Sequence, residues 1–221
     1  MLKPRLDILP PAQQSLWPHL ADLPDHFVLY GGTAIALRLG HRESVDFDFF
    51  SDVPLDEALK ERLLSDVTWL VGAQVLQSDR NTLTLGVQHA GSAIKLSFFG
   101  GIRTGRVGTP ERTDDAVLWV ASLDDLMAHK LMVILQRSEK KDYHDIAAMI
   151  RAGVGVDRGL AAARLFFGKA FQPAESLKAL TYFKDGDLGK LSDVDRGTLI
   201  AAGMAVRALP VISLRSRKLA N

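Results

Sequence analysis

Residues 30–51 read YGGTAIALRLGHRESVDFDFFS, and this stretch decides the fold. The apolar run Phe27-Val28-Leu29-Tyr30 stops at Gly31-Gly32 and reads as a short buried strand. Thr33 to Leu39 then predicts a helix that ends at Gly40. From Val45 to Phe49 the period becomes two, with Val45, Phe47 and Phe49 on one face and Asp46 and Asp48 on the other. The expectation is a strand, a diglycine turn into a helix, and a returning strand with one acidic face.

Each part of that unit has a chemical use. A helix N-terminus offers unpaired backbone N–H groups and the positive end of its dipole. Glycines before it let phosphate oxygens approach without meeting a Cβ, and Thr33 adds a hydroxyl. Asp46 and Asp48 lie roughly 6–7 Å apart along a strand. Carboxylates at that spacing can share a hard cation such as Mg²⁺, which also takes phosphate oxygens. Taken singly, Gly-Gly is usually a turn and Asp-x-Asp usually a solvated strand edge; together they are hard to explain as packing.

Outward from this unit the chain falls into two halves. Residues 1–26 carry five prolines and leave room only for a short helix at Ala12 to Leu16. Leu55, Leu59, Leu63 and Val67 recur at helical spacing. Three strand-like runs follow, Ala73 to Leu76, Thr82 to Val87 and Ile94 to Phe99, separated by polar turns. Gly100 to Thr113 reads as a glycine- and arginine-rich loop with room for a short strand, and Val117 to Val120 as a last one. After Ser122 every pattern is helical. Ser122-x-x-Asp125 resembles a capping box, with Asp in place of Glu. Helices are expected from Leu123, over Lys140 to Arg151, Leu160 to Phe167, Ala174 to Phe183 and Arg196 to Leu209, with a frayed basic tail at Arg215 to Lys218. The expected organisation is an α+β domain over 1–120 and a helical domain over 121–221.

Composition narrows the chemistry. With 221 residues the chain can bury a sizeable core, and its net charge of +1 gives no global basic field for nucleic acid. It has no cysteine, which removes disulfides, zinc–thiolate sites and thiol catalysis. No apolar stretch is long enough to span a bilayer and no signal peptide is evident, so a soluble, cytoplasmic protein with no membrane partner is expected.

Gly31-Gly32-Thr33-Ala34, followed by His41-Arg42-x-Ser44-Val45-Asp46-Phe47-Asp48, resembles the AbiEii/AbiGii-type nucleotidyltransferases of the polymerase-β-like superfamily. The resemblance runs from about residue 25 to 185. It implies a polymerase-β-like core, a mixed sheet with flanking helices, followed by a C-terminal helical bundle. It also implies a toxin of a toxin–antitoxin or phage-defence system that uses a nucleoside triphosphate (NTP) and Mg²⁺. Such an enzyme moves a nucleoside monophosphate (NMP) to tRNA or a protein and is paired with a cognate antitoxin. By this resemblance Asp46 and Asp48 hold metal, and Gly31, Gly32, Thr33, Arg42 and Ser44 meet the nucleotide. Arg42 has a plainer alternative, a pair with Asp48 or Glu43.

A second constellation lies in the helical half. At about 100° per residue Lys130 falls within the apolar stripe of Leu123, Met127 and Ile134. A lysine there needs a partner, either a buried carboxylate or a phosphate. The resemblance adds Arg137 and Lys141-Asp142-x-x-Asp145, and implies that Lys130 and Arg137 contact the triphosphate while Asp142 and Asp145 position them or activate the acceptor. His144 reads as packing or as an acid–base group. Arg103, Arg106 and Arg112 read as a solvated loop or as an RNA contact.

One position departs from the superfamily pattern. On Ile94 to Phe99 the residue expected to be a third carboxylate is Ser97, which shares its face with Lys95. This leaves a second reading beside the active enzyme, a degenerate nucleotide-binding protein. A third is an antitoxin-like transferase that modifies a partner toxin.

Overall fold

Alternating aromatic and acidic residues fix the sheet, and the sheet positions everything else. In the computed structural model, which describes residues 1–220, one unit comprises Met1–Gly105, Thr109–Ala121 and the chain end from Arg217. Its elements are α1 (Pro11–Leu16), β1 (Val28–Tyr30), α2 (Gly31–Leu39), β2 (Phe47–Phe50), α3 (Glu57–Asp66), β3 (Gln74–Asp79), β4 (Thr82–His89), β5 (Ser92–Phe99), β6 (Glu111–Arg112) and β7 (Trp119–Val120). The strands form one mixed sheet in the order β3-β4-β5-β2-β1-β7-β6. β1 runs antiparallel to β2 and parallel to β7, while β2 runs parallel to β5.

Register partners share a face. Phe47 and Phe49 therefore lie beside Leu96 and Phe98 of β5, which lie beside Leu85 and Leu83 of β4. All six are buried, and Phe49 stacks on Phe98 with ring centroids 5.2 Å apart. Truncating such a ring costs about 3–5 kcal/mol. The opposite face carries Asp48, Ser97 and Thr84 in one row, each the register partner of the next.

The boundaries follow local chemistry. α2 begins at Gly31, earlier than the expected Thr33, because Gly31 takes φ +71 and turns the chain directly into the helix. It ends where Gly40 adopts the left-handed conformation and donates to Ala36 O at 2.7 Å. β2 begins at Phe47, later than the expected Val45, whose carbonyl accepts from Gln13 Nε2 instead. The short β6 and β7 are held by Arg38 on α2. Its guanidinium donates to Ala121 O, Val120 O and Glu111 Oε2, and holds the Glu111 carboxyl below its usual range.

The second unit comprises Arg106–Gly108 and Ser122–Ser216. It is helical: α4 (Leu123–Val133), α5 (Lys140–Arg151), α6 (Val156–Phe167), α7 (Pro173–Leu180) and α8 (Asp193–Ala205). Ser122 caps α4 as expected, with Asp125 N donating to Ser122 Oγ, but the Asp125 carboxylate accepts from the Ser122 hydroxyl, so the pair is a variant of the expected capping box. The Asp125 carboxylate also accepts from Val107 N at 2.8 Å, which ties the 106–108 segment to α4. Gly159 lets α6 approach α4, since a Cβ there would run into Met127 and Leu131. Ser216, expected in a frayed tail, instead accepts from Arg106 N through its backbone carbonyl. Among the described residues no helix is long and apolar enough to cross a membrane.

Candidate active site

The sheet unit places the first constellation at the start of α2. Asp46 precedes β2, Asp48 lies within it, and both share the face opposite the phenylalanines. Asp48 is the register partner of Tyr30, the residue immediately before the glycine pair. Its carboxylate lies so close to Gly31 that a Cβ there would collide with Asp48 Oδ2. The first turn of a helix and an acidic strand face therefore meet at Gly31. Tyr30 stacks on Phe50 at 4.7 Å beside this junction, a support that the sequence reading did not single out.

The hydroxyls expected to meet a nucleotide face inward. Thr33 is buried and its Oγ1 donates to the carbonyl oxygen of Asp46. With that proton used, Ser44 Oγ donates to Thr33 Oγ1 at 2.8 Å. Thr33 and Ser44 thus pin the segment carrying Asp46 to α2 and position the acidic strand. Arg42 donates from Nη1 to Glu43 O at 2.8 Å.

Lys95 and Ser97 lie on the acidic face. Lys95 Nζ is 3.5 Å from Asp46 Oδ2, with both side chains partly exposed. Ser97 is buried beside Asp48. Among the described residues no group of three or more His, Cys, Asp or Glu side chains could hold a metal. Asp46 and Asp48 supply two hard oxygen donors, which suits a divalent ion that takes its remaining ligands from phosphate and water.

In the helical unit, Lys130 is 7 % exposed. Its Nζ reaches Asp142 Oδ1 at 2.6 Å and Asp145 Oδ2 at 2.7 Å. Arg137 adds a two-pronged contact to Asp142, Nε to Oδ2 at 2.8 Å and Nη2 to Oδ1 at 3.1 Å. Burial pushes the Asp142 carboxyl upward, but the hydrogen bonds of Arg137 and the adjacent Lys130 charge outweigh it, so Asp142 stays below its usual range. The structure thus brings Lys130, Arg137, Asp142 and Asp145 together. His144 donates through Nδ1 to Asp195 Oδ2 at 2.7 Å, while Arg151 donates to Oδ1 of the same carboxylate, so His144 links α5 to α8. Arg112 contacts Asp25 and Ala116 O, and buried Arg106 donates to Gly108 O, so both arginines have structural work within their own units.

Comparisons with known proteins give the family and the fold. The family described as nucleotidyl transferase AbiEii toxin, type IV toxin–antitoxin system, matches residues 16–209. An uncharacterised protein of Aquifex aeolicus, aq_aa25, is 35% identical over 130 residues, 57% of this chain and 58% of that protein. The matched segment thus spans less than two thirds of that relative. Among solved structures, an H. pylori protein described as a nucleotidyltransferase superposes with a TM-score of 0.54 and 18% identity, covering 87% of this chain and 89% of that one. The nucleotidyltransferase toxin MenT4 of Mycobacterium tuberculosis gives 0.54 and 17% identity, over 86% and 82%. At these identities the structural likeness establishes the fold.

Proposed function

Because the chain belongs to the AbiEii nucleotidyltransferase toxin family, we propose that it is a Mg²⁺-dependent enzyme that transfers NMP from an NTP to a hydroxyl of a macromolecule, tRNA or protein. The observation that carries this reading is the contact of Asp48 with Gly31, which sets the acidic strand beside a helix N-terminus. The backbone N–H groups of the first turn of α2 bind phosphate oxygens. Asp46 and Asp48 hold the cation, whose charge would stabilise the oxygens around the α-phosphorus. Lys130 and Arg137 are the cations assigned to the triphosphate, and Asp142 and Asp145 fix their positions.

In the reaction the acceptor oxygen bonds to the α-phosphorus as the bond to the β-bridging oxygen breaks. Pyrophosphate leaves with that electron pair, and the hydroxyl proton passes to water. A toxin acting in this way would be held in check by a partner antitoxin encoded with it.

The test is incubation of the protein with each labelled NTP, Mg²⁺ and total tRNA or cell protein, beside Asp46→Ala/Asp48→Ala. Label transferred by the unmutated chain alone supports the enzyme and identifies both nucleotide and acceptor. Ser97 beside Asp48 favours one second reading, a nucleotide-binding protein that turns over little. That reading predicts Mg²⁺-dependent NTP binding by calorimetry without transfer. Neither binding nor transfer would overturn both.

A further inference from the structure

The acidic face holds a fixed positive charge that the proposed reaction has not yet used. Lys95 Nζ lies 3.5 Å from Asp46 Oδ2, and strand parity puts Lys95 and Ser97 on the same face as Asp46 and Asp48. The Lys95 and Asp46 side chains are 49% and 41% exposed, so the pair contributes little to folding. It nevertheless sits on the surface where a phosphoryl group would be attacked.

In-line displacement needs positive charge beside both the attacking and the leaving oxygens. A site with two cations anchors them on several carboxylates. This face offers two carboxylates, Asp46 and Asp48, and a neutral hydroxyl at Ser97 where a third would stand. One of the two carboxylates already has an ammonium next to it. A second divalent ion would lack a ligand and would be repelled by Lys95.

We infer that the Lys95 ammonium supplies the charge that a second cation would otherwise bring, so that the site works with a single divalent ion on Asp46 and Asp48. This inference rests on the nucleotidyltransferase reading above. In the transfer step the acceptor oxygen–phosphorus bond forms, the bond to pyrophosphate breaks, and the released proton goes to water.

The experiment counts Mn²⁺ by equilibrium dialysis with saturating α,β-methylene analogues of the four common NTPs. Four chains are compared: unmutated, Lys95→Met, Lys95→Arg, and Asp46→Ala/Asp48→Ala. One Mn²⁺ per bound analogue is expected for the unmutated chain and for Lys95→Arg. Lys95→Met should take up a second Mn²⁺ at least tenfold more tightly than the unmutated chain, and should transfer NMP at least tenfold more slowly at low Mn²⁺. Its unfolding temperature should stay close to that of the unmutated chain, because the side chain is half exposed. Two Mn²⁺ in the unmutated chain, both lost in Asp46→Ala/Asp48→Ala, would overturn the role of Lys95 and leave the site reading intact. So would a Lys95→Met chain with unmutated stoichiometry and rate. Analogue and metal held equally well by Asp46→Ala/Asp48→Ala would instead remove the site reading itself.

Discussion

Asp48 on β2 and Ser97 on β5 are register partners across a parallel strand pair, so a hydroxyl and a carboxylate stand side by side on the acidic face. Thr84 of β4 is the next residue in that row. The row beyond Asp48 is therefore made of small hydroxyls, Ser97 and then Thr84.

Ser97→Asp should turn this row into a three-carboxylate site. Without divalent metal, a buried carboxylate beside Asp48 should cost about 1–3 kcal/mol, since the two charges repel and the new one loses water. Metal at 100 times its dissociation constant returns about 2.7 kcal/mol. The variant should thus unfold at a lower temperature than the unmutated chain in EDTA, and Mg²⁺ should raise its midpoint more than that of the unmutated chain. Calorimetric scans with and without Mg²⁺ check this, and an equal Mg²⁺ response in both chains would contradict it.

Two glycines at the ends of α2 separate catalysis from stability. Gly31 and Gly40 both have positive φ, +71 and +65, so alanine at either position should cost about 1–2 kcal/mol. A Cβ at Gly31 meets the Asp48 carboxylate, whereas one at Gly40 meets the movable end of the Arg5 side chain. Gly31→Ala should therefore also displace Asp48 and lower NMP transfer by at least tenfold. Gly40→Ala should lose stability and keep transfer. Equal losses of transfer in the two variants, measured at a temperature where both are folded, would break the link between Gly31 and the acidic strand.

Much of this was legible from residue spacing. The glycine pair, the change from period 3.6 to period two, and the isolated Ser97 lead to β1, α2, β2 and β5 because each rests on local chain geometry. Long-range polar contacts are not legible in that way. The two-residue strands β6 and β7 fall where a short strand within the loop and a last strand are expected, but the contact that holds them, Arg38 to Glu111 across 73 positions, has no local signal. Thr33 and Ser44 have the residue types of a phosphate site, yet the Thr33 proton serves Asp46 O and the Ser44 proton serves Thr33 Oγ1. For Lys130 the helical stripe shows that the amine must find a partner. Which partner depends on the path of the chain between α4 and α5.

The Lys130 cluster has a defined response to mutation and pH. Lys130→Met leaves Asp142 and Asp145 buried without the ammonium and should cost about 3–5 kcal/mol at neutral pH. Arg137 is half exposed and outside the core of the pair, so Arg137→Ala should cost less. Asp142 is depressed in the folded state. Its contribution is therefore full above the unfolded carboxyl value and is lost as pH falls through the lower folded value. In Lys130→Met this support is weakened, so acid should narrow the stability gap between variant and unmutated chain as the orphaned carboxylates protonate. Urea unfolding from pH 7 to pH 3 measures that gap, and a gap constant across the series would show that the loss is one of packing and not of charge.

His129 carries the opposite pH signature in the same helical unit. It packs half-buried against Phe166 and Phe167, with ring centroids at 5.8 and 5.4 Å, and loss of water around the ring lowers its pKa to about 4. The folded state therefore favours the neutral ring, while the unfolded chain takes up a proton near 6.5. As pH falls from 6.5 towards 4 the unfolded state binds more protons, and stability drops by an amount on the order of 3 kcal/mol. Below about 4 the folded state protonates too and this contribution levels off. His129→Phe keeps an aromatic ring and removes this titration, so its stability should decline less over that window than that of the unmutated chain. Urea unfolding midpoints at half-unit pH steps between 7 and 4 decide it: parallel declines in the two chains would show that His129 is not the titrating group.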